Sequence, residues 1–346
     1  MTRRPNLFDY APSELAQDAF LLWLASFADP KHATADQGLH SLGQAFVHSL
    51  LTTVGVTVDE ILSVKPRKQV KHVDVAIVVN GAIGLIIEDK TVSKEHNDQL
   101  KRYLKPQVAA ELRVSPDQLH GIYLKTGNEA GRDFPERWSP YMRADLLAAI
   151  GQGVETGSDI ARDFIERLMR IETRTQAFLT NNFLRSPHDY LGVEGFYQWL
   201  EGAVSHLSAE WSDWGYVANA SGGFLGFWTG TDEHRLQGLE SFQLYLQFHG
   251  GDTVYARMSR WDGGRVEVAE LRAACDLLGK LSNSPAVVWR KPTRHRAGAS
   301  AYAAQALFDG DEHIAVYLAS GVFDKVTTMA RLRSLWDCLL RSDSAH

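Results

Sequence analysis

The chain has 346 residues, 45% of them hydrophobic and 23% charged, the mix of a globular protein with a sizeable core, not of a disordered or repeat chain. Lys and Arg number 36 against 42 Asp and Glu, a net charge of −6. That balance argues against a protein that coats nucleic acid non-specifically, yet it is compatible with an enzyme carrying a local basic groove.

Residues 13–28 predict a first helix, with Ser13 as N-cap behind Pro12 and acidic residues in its first turns. A second helix is predicted over 36–52, with Leu39, Leu42, Phe46, Val47 and Leu50 on its apolar side. The pattern then changes to strands. Residues 54–64 are rich in β-branched side chains, Lys65-Pro66-Arg67-Lys68 reads as a polar connection, and 70–79 alternate around Val73, Val75, Ile77 and Val79. Asn80-Gly81 is the strongest short hairpin signal, and a short apolar run over 83–88 follows it. Ser93 caps a predicted helix over 94–113, with a break at Pro106, and 119–125 form a fourth strand. Helices are predicted near 140–150 and 158–184.

Composition shifts near Ser186-Pro187, where we draw a domain boundary: 1–185 and an α+β accessory domain over 186–346. Within the latter, a helix is expected near 193–207, aromatic and glycine-rich strands near 214–228, a hairpin of 241–249 and 253–259 around Gly250-Gly251-Asp252, and helices over 267–280 and 326–340. The tryptophans concentrated there, among them Trp214, Trp228 and Trp289, read mostly as core. The basic run from Arg290 to Arg296 reads as an exposed loop. Cys275 and Cys338 make no disulfide framework and read as reduced thiols of a cytoplasmic protein. No signal peptide is expected at the start, and the most apolar helical stretch, 19–28, is about half the length of a bilayer span, so no membrane partner is expected.

The chemistry concentrates between Asp74 and Tyr103. Glu88 and Lys90 share one face of their strand, since side chains repeat with period two. With a turn midway at residue 81, Asp74 falls near Glu88 across the hairpin. Two carboxylates so placed, with the Asp89 carbonyl as a third oxygen, form a hard-oxygen site suited to Mg²⁺ or Mn²⁺. Lys90 can hold an attacking water or stabilise negative charge on phosphorus. Basic residues flank the set in two groups: Lys65, Arg67, Lys68 and Lys71 before it, and Lys94, Lys101, Arg102 and Lys105 after it, the second better placed for a substrate backbone. On the predicted helix, His96, Gln99 and Tyr103 share a face.

Asp74 followed by Glu88-Asp89-Lys90 resembles the signature of the PD-(D/E)XK nuclease superfamily, and Gln99-Leu100-Lys101-Arg102-Tyr103 resembles the Gln-x-x-x-Tyr motif of its RecB-like members. The opening stretch from Asn6 to Asp18 is similar to the start of bacterial members. The resemblance covers roughly residues 6–130; one departure is Val73 in place of the proline that precedes the first Asp in many members. It implies a restriction-endonuclease-like α/β core, a mixed four-stranded sheet flanked by helices. It also implies a Mg²⁺- or Mn²⁺-dependent nuclease that cleaves phosphodiester bonds, DNA preferred, in a bacterial defence or mobile-element setting. Asp74, Glu88 and Glu14 would be the metal ligands, Lys90 the catalytic lysine, and Gln99, Tyr103, His96 and Lys101 would position substrate; Asp18 and Gln17 are weaker candidates. The partner would be nucleic acid, with a homodimer or a protein partner of the C-terminal region also compatible. A ribonuclease with the same site and a silent binding module of the same fold are the alternatives.

Overall fold

The computed structural model describes residues 4–93, 99–180, 183–185, 189–218, 222–231, 240–281 and 286–340. The chain divides into two compact units, one of residues 1–128 and 132–173, the other of 129–131 and 174–346. The boundary near 186, drawn from composition, lies some residues beyond this division.

In the first unit, α1 (Leu7–Tyr10) leads into α2 (Glu14–Phe27), whose N-cap Ser13 accepts from the Ala16 N–H, and α3 (Gln37–Thr53), capped by Asp36. A five-stranded sheet follows, in the order β1 (Val64–Val70), β2 (Val73–Val79), β3 (Ile83–Lys90), β4 (Leu119–Lys125), β5 (Trp138–Met142). The first three strands form an antiparallel meander, whereas β4 and β5 run parallel to β3. Two short helices, α4 (Gln99–Tyr103) and α5 (Pro106–Leu112), lie in the β3–β4 crossover. Helices α6 (Arg143–Ile150) and α7 (Asp159–Thr175) complete the unit.

The mixed sheet has apolar residues on both faces. Val75, Ile77, Leu85, Ile87, Ile122 and Leu124 pack with Leu21, Leu24, Phe46 and Leu50 of α2 and α3. Ala76, Val78, Ile86 and Tyr123 pack on the opposite face with Leu100, Tyr103 and Val108 of α4 and α5. A strand covered on both faces loses its alternating pattern, which is why β3 reads as a continuous apolar run and β2 sets the buried Ala76 and Val78 between its alternating residues.

Several sequence expectations are corrected. No strand runs through 54–63; β1 starts at Val64 and contains the supposed polar connection Lys65-Pro66-Arg67-Lys68. This strand is an edge, where Pro lacks no needed donor and cations discourage a further strand from pairing. The sheet has five strands, because residues 138–142, read as helix from Pro140, form β5 around buried Trp138 and Tyr141. The helix predicted over 94–113 is broken at Pro106, as expected, with Lys105 as N-cap of α5, and residues 94–98 lie outside the described ones. The long helix predicted over 158–184 ends at Thr175 and continues as a 3-10 turn to Leu179.

Among the described residues, the second unit has a six-stranded antiparallel sheet and three long helices. They are, in chain order, α8 (Tyr190–Ser205), β6 (Trp211–Val217), β7 (Phe224–Gly230), β8 (Phe242–His249), β9 (Thr253–Arg260), α9 (Val268–Leu281), β10 (Val288–Arg290), β11 (Ser300–Leu307) and α10 (Lys325–Leu340). The strand order is β10-β11-β9-β8-β7-β6. Trp214, Trp289 and Trp336 are core residues, and Cys275 and Cys338 are buried and form no disulfide. The basic run is not a free loop throughout. Arg290 lies in β10 and donates to Gln305 and Glu312, and His295 is buried with its ring on the Ala303 carbonyl at 2.9 Å. Among the described residues, no helix is long and apolar enough to cross a membrane.

Candidate functional site

Strands β2 and β3 pair Ala76 with Ile86 and Val75 with Ile87. One further step in this register sets Asp74 directly opposite Glu88, so both carboxylates point to the same face, with Lys90 two residues on. That face is the one covered by α4 and α5. Glu88 is 1% exposed and Lys90 is 6% exposed. The Lys90 Nζ donates to Glu88 Oε1 at 2.5 Å and lies 3.3 Å from the Asp89 carbonyl oxygen. The Lys90 ammonium therefore rests on two of the three oxygens that the sequence assigns to a cation. Asp74 Oδ2 accepts weakly from the Asp89 N–H at 3.4 Å.

Burial governs the protonation of this group. It pushes the Glu88 carboxyl up to about 7, with Asp74 adding to the rise and Lys90 opposing it. Asp74 is also raised by burial, against the pull of Lys90 and the Asp89 N–H. Each of the two carboxyls contributes to the shift of the other. Burial works against the Lys90 ammonium, but Glu88, Glu14 and Asp74 outweigh it, and the lysine stays above its ordinary value.

The opposite face of the same strand end carries a second acid pair. Glu14, Gln17 and Asp18 stand three and four residues apart on α2, so they share one helical face. Gln17 Nε2 donates to Asp89 Oδ1 at 2.5 Å, and Thr126 Oγ1 donates to Gln17 Oε1 at 2.9 Å. Asp89 is raised well above the usual carboxylate range by complete burial and then by the charge of Asp18. Asp18 is pushed up to about 6 by burial and by the field of Asp74. Sequence reasoning weighed Gln17 and Asp18 only weakly and gave the Asp89 side chain no role. The signal available was their spacing from Glu14 on one helix face.

Glu14 is engaged by the loop after β3: its Oε1 accepts from the Thr91 N–H at 3.1 Å and from Ser93 Oγ at 2.5 Å. Burial raises its carboxyl, but these bonds with Lys90 and Lys125 more than offset that, and it ends below the usual range. Lys125, buried at the end of β4, donates to the Ser93 carbonyl at 2.5 Å. Sequence reasoning did not single it out, because a lysine closing an apolar strand carries no motif.

On α4, Gln99 Nε2 is 3.4 Å from the hydroxyl of Tyr103. Tyr103 is nearly buried, and its hydroxyl is raised by burial and then by the charges of Glu88 and Asp74, so it lies in the field of the acid pair. Lys101 is exposed on the same helix. His96 and Lys94 lie outside the described residues.

Among the described residues, no group of three or more His, Cys, Asp or Glu side chains is arranged to hold a metal ion. The donors at Asp74 and Glu88 are two carboxylates, and Glu88 Oε2 is buried with no hydrogen-bond partner among the described residues. An orphaned carboxylate oxygen is costly to bury. A hard cation held by two carboxylates and completed by water fits this donor set, because Mg²⁺ keeps several of its waters. Comparison with known proteins returned no matching family model, no matching curated protein and no matching solved structure.

Proposed function

We propose that the first unit is a divalent-cation-dependent phosphodiesterase acting on nucleic acid, with DNA as the preferred substrate and a restriction-endonuclease-like core. The observation that carries this reading is the register that sets Asp74 opposite Glu88, with Lys90 on the same face. Residues of these types on adjoining strand ends are what phosphoryl chemistry requires: hard oxygens for a cation and a retained positive charge beside them.

Asp74, Glu88 and the Asp89 carbonyl would hold Mg²⁺ or Mn²⁺. When bound, such a cation polarises a phosphoryl oxygen and eases deprotonation of the attacking water. Lys90 keeps its proton, because three carboxylates face it, and so presents a positive charge to the oxygens of the phosphate under attack. For it to do so, its Nζ would leave Glu88 Oε1, the oxygen that would then be open to a cation. Tyr103 and Gln99 offer a hydroxyl and an amide at the edge of the site, where they can orient a phosphate or base. Glu14 acts through the field it sets on Lys90 and through its grip on the loop at Thr91 and Ser93.

A second reading is a nucleic-acid-binding module without turnover. The absence of a three-residue metal group among the described residues favours it. One assay separates the two. Purified protein is incubated with end-labelled DNA and RNA, with Mg²⁺, Mn²⁺ or EDTA, beside Lys90→Ala and Glu88→Ala. Cation-dependent cleavage that falls by about 10²–10³-fold in both variants is expected. Equal cleavage by wild type and both variants would falsify the site, and cation-independent binding without cleavage would establish the module.

A further inference from the structure

The two basic groups seen in the sequence are divided differently in space. Arg67 is taken by α5: it donates to the Glu111 carbonyl and pairs with the Glu111 carboxylate at 2.9 Å. Lys71, by contrast, joins residues of the second group around one cavity of about 570 Å³. The β1–β2 turn contributes Lys71 and His72; α4 and the start of α5 contribute Arg102, Tyr103, Lys105 and Gln107. Among the described residues no carboxylate lines it. Tyr103 is shared: it lines the cavity and its hydroxyl lies in the field of Glu88 and Asp74. The cavity thus adjoins the candidate site.

The turn that supplies Lys71 and His72 is built at a conformational cost. Val70 pairs with Val73, so Lys71 and His72 are its two linking residues, with φ of 51° and 74°. A turn with both central residues in the left-handed region selects Asn-Gly, because other L side chains are strained there. The next hairpin of the same sheet obeys this rule: Asn80-Gly81 has φ of 52° and 66°, closed by the Ala82 N–H on the Val79 carbonyl at 3.1 Å. Both turns carry two consecutive left-handed residues, although Lys71 and His72 alone link Val70 to Val73, whereas Asn80, Gly81 and Ala82 link Val79 to Ile83. The favourable pair stands at the turn away from the cavity, and two basic side chains stand at the turn that lines it. Strain held at such a position points to a ligand contact.

We propose that this cavity is a subsite for the phosphates of a nucleic-acid strand, adjacent to the phosphate that reaches Asp74 and Glu88. The identity of the strand as substrate rests on the phosphodiesterase reading. The cations suit no apolar ligand, and several of them around one cavity of nucleotide size suit successive backbone phosphates better than a single ion.

The test measures binding without turnover. A short fluorescein-labelled single-stranded oligodeoxynucleotide is titrated with protein in EDTA, from about 50 to about 200 mM salt. Wild type is compared with the double variant Lys71→Asn/His72→Gly and with Arg102→Ala/Lys105→Ala. The first installs the turn's preferred residues, so its melting temperature should rise, while its affinity falls and the log–log salt slope drops by about 0.7 for the permanent charge removed. The second should lower the slope by about 1.4. Unchanged affinity and slope in both variants overturn the subsite. Displacement of the strand by inorganic phosphate, at an ionic strength where chloride leaves it bound, assigns the cavity to a free anion and also overturns the strand. A protein that binds strands through these cations but cleaves nothing sinks the hydrolytic reading and leaves this one standing.

Discussion

The end of β3 has an acid pair on each face, one strand's thickness apart. On one face Asp74 meets Glu88; on the other Asp18 meets Asp89. Burial raises all four carboxyls, so burial alone does not distinguish them. What differs is the partner. The first pair has the Lys90 ammonium at 2.5 Å from Glu88 and a half-buried member, Asp74, at its rim. The second is hydrogen-bonded, among the described residues, by the neutral amide of Gln17 and is closed to solvent, with Asp89 at 0% and Asp18 at 2% exposure. Although Glu88 is pushed up to about 7, a pair that holds an ammonium can exchange that cation for another. A buried pair facing an amide is neutralised by holding a proton, and then works as a latch between α2 and β3. On the phosphodiesterase reading proposed above, the cation would therefore belong to the Asp74–Glu88 face.

The strongest way to break this comparison is to neutralise one acid on each face. Glu88→Gln should lower cleavage by about 10²–10³-fold, because the cation loses a charged ligand. Asp89→Asn should leave cleavage at the wild-type level. Its amide can donate to Asp18 and its carbonyl can accept from Gln17, which reproduces what a protonated Asp89 does. Its melting temperature at neutral pH should match or exceed that of wild type, since no charge remains to be kept out of water. Loss of cleavage in Asp89→Asn equal to that in Glu88→Gln would place the chemistry on both faces.

A smaller effect sharpens the same contrast through stability. A ligand that binds only the folded state raises stability by about 2.7 kcal/mol at a concentration near 100 times its Kd. Mg²⁺ or Mn²⁺ should therefore raise the melting temperature of wild type and of Asp89→Asn by several degrees, and leave Asp74→Asn with Glu88→Gln unmoved. Differential scanning fluorimetry with and without the cation measures this. An equal shift in the double variant would move the cation away from Asp74 and Glu88.

The legibility of this arrangement in the sequence was uneven, for physical reasons. The hairpin at Asn80-Gly81 fixes the register of β2 and β3, and with it the juxtaposition of Asp74 and Glu88, because only that turn chemistry suits its backbone. The Asp18–Asp89 pair was not legible: it joins α2 to β3 across 71 positions, and no local pattern specifies a tertiary contact between a helix and a strand end. Strand β1 was misread because its composition reflects its place at the edge, where charge and Pro66 are tolerated, and not its conformation. The turn at Lys71-His72 was hidden for the reverse reason: its residues contradict its backbone, and only the structure exposes the conflict. Strand β5 carries Pro140, which reads as a helix start when the sheet beside it is unknown.

Asp29 completes the comparison as a buried acid that faces donors in place of acids. It is 7% exposed, and its two oxygens accept from the Val64 and Lys31 N–H groups, each at 3.1 Å. Burial by itself would raise its carboxyl; the Val64 and Lys31 bonds outweigh burial and hold it below the usual carboxylate range. The sign of its linkage follows. A depressed acid adds stability that is present above its unfolded value, about 3.9, and is lost as pH falls through its lower folded value. Asp29→Asn retains one acceptor oxygen and loses the other, so it should cost about 1–2 kcal/mol at pH 7, or a fall of about 2–8 °C in melting temperature for a unit of this size. In acid below the folded value, wild type is protonated too, and the gap should close. Melts of the two proteins across that range read the gap directly. A gap that stays constant with pH would mean that the Asp29 charge contributes nothing, and that donors do not reverse what burial does to an acid in this fold.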